Sequence, residues 1–374
     1  AVPGYELVYS YPVETTLEEA DLRQAQEVWP EMFDQATKTI DINEFYITPA
    51  KGEPLEAPLK ALQRAAKRGV KIRFILEKKF ERNSWEGIAR LKTIPNLELR
   101  ILEWSQVNGE GIIHAKYFVV DSTRAYVGSQ NFDWRSLKHI HELGLSVSEP
   151  EVVTHVQSVF NHDWAIAGTT TPAVPDNEVP PLFDRSLRSY LVASPWRFNP
   201  PGVGDSEAEL TRLMGEAQQE IRIQLLDFTP LSYGKPRRFY ASIDNAVRDA
   251  AVRGVKVKLL VSHWNTDDPG IHHLQSLAVL PRVEIRIITI PEAAQGPIPF
   301  ARVAHSKYMV VDGKTLWLGT SNWAGSYLNF SRNLEIVVKD EALAARVGRV
   351  HAHLWDSSYT TPIEILKDYP KPRR

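Results

Sequence analysis

His114 and Lys116 stand two residues apart just ahead of an apolar run, and His305 and Lys307 repeat that pair. On an extended segment residues i and i+2 point to one face, so each pair presents an imidazole beside an ammonium. Asn131 closes the loop Gly128-Ser129-Gln130-Asn131, and Asn322 closes Gly319-Thr320-Ser321-Asn322. Such loops can aim amide and hydroxyl donors at an anion. Glu142 and Glu335 follow 11 and 13 residues later, in or near another apolar strand. Two His, two Lys, two Asn and two Glu suit the cleavage of a phosphodiester. Lys and Asn neutralise charge on the non-bridging oxygens. One imidazole attacks phosphorus, and the other protonates the leaving oxygen and later activates water. A carboxylate on the far ring nitrogen fixes the tautomer. Asp121 and Asp312 lie an odd number of residues from these His and Lys, at the strand ends, and are expected to hold the turn.

One such motif alone is weak evidence, since a surface His on a strand would explain it. Its duplication carries the argument. The stretch from His114 to Asn131 matches His305 to Asn322 at an offset of 191, and Trp164 and Trp355 keep that offset. Earlier in the chain the offset is smaller: Ile40 matches Ile221 at 181, and Gly69 matches Gly254 at 185. The drift places extra loop residues in the second half, with 232–240 and 291–302 as candidates. The expected organisation is a first half over 1–168, a linker over 169–189 rich in Thr and Pro, and a second half over 190–374.

Each half shows strands alternating with helices. Helices over 58–68 and 242–253 end at Gly69 and Gly254, where a left-handed residue stops a helix. β-branched runs follow at 70–76 and 255–261, then strands at 97–102, 283–288 and 117–120 with their repeats. The fold class is α/β, with two duplicated domains, mixed β-sheets flanked by helices, and a pseudo-twofold relation.

Composition bounds the rest. The 374 residues carry 44 Lys plus Arg and 46 Asp plus Glu, a net charge of −2, which excludes a generic polycation coating nucleic acid. There are no cysteines, so disulfides, thiol nucleophiles and Cys-ligated metals are excluded. No run reaches the ~18 apolar residues of a membrane span, so membrane contact is expected only as transient surface contact. The chain starts at Ala1, which reads as a processed, secreted or periplasmic protein. A monomer is expected.

His139, His141 and Glu142 could be taken for a metal site, but spaced His on a strand is common and no further ligand is visible. Trp104, Trp134, Trp264 and Trp323 lie near the predicted site loops; they stack a base, line an acyl groove or pack in the core. Lys235, Arg237 and Arg238 form a basic loop that suits a polyanion or lipid head groups, or simply solvent.

The sequence resembles the phospholipase D superfamily, in the form with two HxKxxxxD motifs in one chain. The resemblance covers nearly the whole chain. It is strongest to the branch of animal lysosomal phospholipase D-like 5′-exonucleases and poxvirus envelope relatives, through Asn131–Gly144, Pro236–Trp264 and Ala301–Tyr327. It implies a phosphohistidine intermediate, one site between the halves, no cofactor or obligatory metal, and a Glu of one half backing the His of the other. It also implies His114 as nucleophile and His305 as acid. Two features depart from the animal branch: the absence of Cys, and the presence of Asp312 in the second motif. The substrate is a phospholipid, whose head group is released, or single-stranded nucleic acid; a non-catalytic phosphate- or lipid-binding module is the third reading.

Overall fold

A computed structural model describes residues 2–169, 177–234 and 236–374. Residues 170–176 of the expected linker, and Lys235 of the basic loop, lie outside the described residues.

Each half folds around one sheet, and the two sheets run their shared strands in the same order. Across the first sheet these are Tyr5–Ser10, Ile140–Val147, Arg124–Gly128, Tyr117–Val120, Thr39–Asn43, Lys71–Glu77 and Leu97–Leu102. Across the second they are Ser189–Ser194, Asn333–Val338, Thr315–Gly319, Tyr308–Val311, Glu220–Leu225, Lys256–Ser262 and Val283–Ile288. Both sheets are mixed. Thr39–Asn43 pairs parallel with Lys71–Glu77 and antiparallel with Tyr117–Val120, and Glu220–Leu225 does the same with Lys256–Ser262 and Tyr308–Val311.

Strand alternation divides the side chains between cores. Tyr117 and Val119 enter a core shared by both halves, while Phe118 and Val120 enter a core belonging to the first half alone. The shared core takes in the helices Pro150–Ala167 and Glu341–Trp355. The outer face of the first sheet is covered by Ala25–Asp34 and Glu56–Lys67, and that of the second by Ser206–Glu216, Ala241–Val252 and Gly270–Ala278. The helix stops fall where the glycines predict: Glu56–Lys67 runs out before Gly69 at φ +93°, and Ala241–Val252 before Gly254 at φ +90°.

The strands Tyr5–Ser10, at the edge of its sheet, and Ser189–Ser194, flanked outside by the short strand Gly204–Asp205, were not anticipated from sequence. They pair antiparallel with Ile140–Val147 and Asn333–Val338. The added loops of the second half take two forms. Leu231–Ser232 and Arg238–Phe239 make a small hairpin, and the stretch after 291 leads into Val303–Ala304, which pairs parallel with Ile140–Val147 of the other half's sheet.

Candidate active site

Both His-x-Lys pairs sit immediately before the inner strands Tyr117–Val120 and Tyr308–Val311, and both histidines open onto one pocket of about 570 Å³. His114, His305, Asn131 and Asn322 line it. Each ammonium is anchored by its own pair: Lys116 Nζ donates to the His114 carbonyl at 2.6 Å, and Lys307 Nζ to the His305 carbonyl at 2.7 Å. Lys307 Nζ also lies 2.8 Å from His305 Nε2, and Lys116 Nζ 3.3 Å from His114 Nε2. The halves meet through main chain at the reacting residues. The His114 N–H donates to the Arg332 carbonyl at 3.0 Å, and the His305 N–H to the His141 carbonyl at 2.8 Å.

The partners on the far ring nitrogens differ. His305 Nδ1 makes a short hydrogen bond to Glu142 Oε1, so a carboxylate of one half backs the imidazole of the other. His114 Nδ1 lies 2.8 Å from Asn333 Oδ1. Asn333 Oδ1 also accepts from Thr320 Oγ1 at 2.8 Å, and its Nδ2 donates to the Tyr327 carbonyl at 3.3 Å. That network turns the amide oxygen towards the ring, so His114 carries its proton on Nδ1 and its lone pair on Nε2, which faces Lys116 Nζ at 3.3 Å.

Glu335 is therefore not the carboxylate behind His114. It lies one strand pair further along Asn333–Val338, fully buried, with the Ser206 hydroxyl donating to its Oε2. Burial pushes its carboxyl up to about 8. The repeat itself carried the signal: Asn333 lies 191 residues after Glu142, the offset kept by every other motif residue. Residue type points to Glu335, whereas the register of the repeat points to Asn333. Thr320 was missed for the same reason. It is the repeat mate of Ser129, and each hydroxyl braces the strand beyond the loop: Ser129 Oγ accepts from the Leu143 N–H at 3.0 Å, and Thr320 Oγ1 from the Leu334 N–H at 3.2 Å. Ser321 instead bonds the neighbouring Asn322 carbonyl.

The glycines of these loops are set by contact. A side chain on Gly128 would meet Gly144 Cα at 2.8 Å, and one on Gly319 would meet the Leu334 carbonyl at 2.4 Å. Asp121 and Asp312 face away from the pocket. Asp121 accepts the backbone N–H groups of Thr37, Lys38 and Thr39, and Asp312 those of Gln218, Gln219 and Glu220. Each thereby ties the turn after its strand to the start of the neighbouring strand.

Electrostatically the pocket is short of negative charge. Burial, with Lys116 and Lys307 nearby, holds the His114 imidazole well below its usual range. Burial brings Lys116 down to about 7 and Lys307 well below the usual ammonium range. Glu142 is pushed up to about 8 by burial, while burial and the two ammonium groups depress His305. Both directions favour one proton shared between Glu142 and His305 over a full ion pair. Glu44 adds a buried carboxyl, raised by burial and opposed by Lys116; 181 residues on, the repeat has Leu225.

The remaining candidates separate. Trp104 and Trp323 are fully buried core residues, and Trp134 stands edge-on to His139 with centroids 5.6 Å apart. Trp264 lines the pocket under the Arg374 guanidinium, 5.6 Å from the ring centroid. His139, His141 and Glu142 turn to different partners: Arg302, then Gln224 with Ser306, then His305. They do not converge on one point. Arg237 and Arg238 are exposed on the hairpin.

Two α/β halves that bring a His-x-Lys pair each to one anion-ready pocket define a phosphodiesterase. The family described as "Cardiolipin synthase, PLD-like domain" matches residues 30–164 and again 210–355. Phospholipase D Z of Dictyostelium discoideum is 31% identical over 368 residues, covering 90% of this chain and 86% of that protein. The 5'-3' exonuclease PLD3 of Bos taurus is 30% identical over 380 residues, covering 91% and 76%. Phosphatidylserine synthase of Haemophilus influenzae Rd KW20 shares the fold, with a TM-score of 0.66 at 11% identity over 90% of this chain and 85% of that one. The chain belongs to the phospholipase D superfamily.

Proposed function

We propose that the chain hydrolyses phosphodiesters through a phosphohistidine on His114, and that its substrate is a phospholipid whose head group is released. The observation that carries the mechanism is the pair of unlike partners behind two imidazoles in one pocket: Asn333 behind His114 and Glu142 behind His305. A neutral amide accepting from Nδ1–H keeps His114 neutral, with Nε2 as a lone-pair nucleophile. A carboxylate stabilises positive charge on its ring, which suits His305 to hold and release a proton.

In the first step His114 Nε2 bonds to phosphorus as the bond to the leaving oxygen breaks. That oxygen takes the proton from His305 Nε2. In the second, His305 Nε2 removes a proton from water, the water oxygen bonds to phosphorus, and the P–N bond breaks. An alcohol in place of water gives transfer instead of hydrolysis. In the free site Lys307 donates to His305 Nε2. A phosphodiester anion draws both ammonium groups to its non-bridging oxygens, joined by the Asn131 and Asn322 amides, and favours the imidazolium of His305.

The apolar rim supports the lipid reading: Phe300, 58% exposed, and Trp264 stand at the mouth. These two rings, together with Tyr46 and Phe80 and the cations Arg135 and Arg374, also favour a second reading, a terminal nucleotide of a single strand. Both halves of the site lie in one chain, so a monomer suffices for either substrate. Three substrates decide between them: phosphatidylcholine, phosphatidylethanolamine and a 5′-hydroxyl single-stranded DNA. Head-group release with intact DNA supports the lipid reading, and the reverse overturns it. Replacing His114 with Ala should abolish turnover and the acid-labile labelled adduct; turnover at the wild-type rate would sink the mechanism.

A further inference from the structure

The two seams that join the halves at the reacting residues are not built alike. Beside His305, the strand Val303–Ala304 pairs regularly with Ile140–Val147, in register with Ile140 and His141. Beside His114 there is only a single bridge, between Ile113 and Arg332. The segment Phe330–Asn333, which delivers Asn333 to His114, has little sheet of the other half to hold it.

Side chains take over that task. Arg332 is fully buried, and its guanidinium makes a two-pronged contact with Asp163 on the helix Pro150–Ala167 of the first half, Nε to Oδ2 at 2.9 Å and NH2 to Oδ1 at 2.8 Å. NH1 donates to the Ser194 carbonyl and Asn199 Oδ1, and NH2 also to the Phe198 carbonyl. The guanidinium lies 5.2 Å from the Trp104 ring, whose Nε1 donates to the Phe330 carbonyl at 2.7 Å. A buried, bidentate Arg–carboxylate pair has one geometry, which lysine cannot reproduce. At the repeat-related position, 191 residues earlier, stands His141, where the regular strand pairing makes such a clamp unnecessary.

We propose that the Arg332–Asp163 pair is a positioning device for the nucleophilic half of the site: it sets the register of Asn333 against His114, and so governs formation of the covalent intermediate rather than its breakdown. This rests on the phosphohistidine reading. A buried pair of this kind contributes little net stability against apolar replacements but fixes one arrangement. A displacement of His114 by ~1 Å costs about 100-fold in the step it performs.

The test uses the full chain and bis(4-nitrophenyl) phosphate, whose leaving group needs no proton. Rapid mixing reads the release of 4-nitrophenolate in a single turnover, which reports intermediate formation, and the decay of the labelled adduct after unreacted substrate is removed reports breakdown. Wild type should show this release and a labelled acid-labile adduct; their absence strikes the phosphohistidine reading. Arg332→Met and Asp163→Asn should slow formation about 100-fold, with breakdown of the adduct within about threefold of wild type. Arg332→Lys should recover part of the rate of formation. Glu142→Gln should show the opposite pattern, a wild-type rate of formation with slow breakdown. If Arg332→Met does not fold, the isosteric Asp163→Asn carries the decision, checked by a cooperative melt. A wild-type rate of formation in either folded variant, or an equal loss in formation and in adduct decay, overturns the proposal while leaving the phosphohistidine intact.

Discussion

Asn333 holds Nδ1 of His114 at the place in the repeat where Glu142 holds Nδ1 of His305. Each stands 11 residues beyond its loop asparagine, and each follows the residue whose carbonyl accepts the N–H of the opposite histidine. The backbone is duplicated, but the charge behind the rings is not. A carboxylate makes its imidazole more basic, while an amide orients the ring without adding charge.

Asn333→Asp puts a carboxylate behind His114 and favours the imidazolium. Its pKa should rise by about 1–3 units. The nucleophile must be neutral, so the acidic limb of kcat/KM should move to higher pH by the same amount. Asn333→Ala should lower activity without moving the limb upward. A pH profile of both variants on one soluble phosphodiester checks this; an unmoved limb in Asn333→Asp removes the tautomer argument.

The wild-type profile follows from the same groups. His114 is held well below its ordinary value by burial and two ammonium groups, so activity should rise with pH through a limb well below 6.5. One proton must remain on the coupled Glu142–His305 pair, and burial lifts the Glu142 carboxyl to about 8. Activity should therefore fall as pH climbs past about 8. The two limbs belong to the site as a whole rather than to single residues. A kcat/KM still rising at alkaline pH contradicts this reading.

Most of the fold was legible because it depends on local chemistry written twice. Gly69 and Gly254 stop helices, and the β-branched runs after them extend, whatever surrounds them. The strands Tyr5–Ser10 and Ser189–Ser194 were not legible, since short runs such as these declare themselves only against Ile140–Val147 and Asn333–Val338. In the site, His114, His305 and both lysines follow from spacing on an extended segment. Asn333 is hidden by its residue type, an amide at the place where the first half has a carboxylate, with Glu335 two residues away. Arg332 was hidden more deeply. Its partner Asp163 is 169 residues distant in the chain, on a helix with nothing in its pattern to mark it.

Proton uptake should accompany anion binding. Burial brings the Lys116 ammonium down to about 7, so above that pH the free site holds it largely neutral. An oxyanion against the lysine restores the charge and raises its pKa. Binding of tungstate should then take up a proton between about pH 7 and 9, and affinity should fall as pH rises, by at most about tenfold per pH unit for one linked proton. Calorimetry in two buffers of different ionisation enthalpy measures the uptake directly. Lys116→Met should remove the share of the uptake that Lys116 carries and leave the share that Lys307, also depressed by burial, contributes; equal proton uptake in that variant assigns the linkage elsewhere.

Glu335 should matter to stability and not to chemistry. Its carboxyl is buried, takes a hydrogen bond from Ser206, and is lifted by burial from 4.5 to about 8. A folded-state pKa above the unfolded value means that the folded chain binds the proton more tightly between these two values. The stability this contributes is complete below about 4.5 and is lost as pH rises through 8. Glu335→Gln keeps the shape and an acceptor for Ser206, and removes the ionisation. The variant should match wild type in kcat and KM, melt close to wild type at pH 5, and melt higher at pH 9, by about 2–4 °C for each kcal/mol of ionisation cost removed. A melting series from pH 5 to 9, run beside a turnover assay, separates the two roles. A large loss of turnover in a normally melting Glu335→Gln would return Glu335 to the catalytic set and remove Asn333 from its role behind His114.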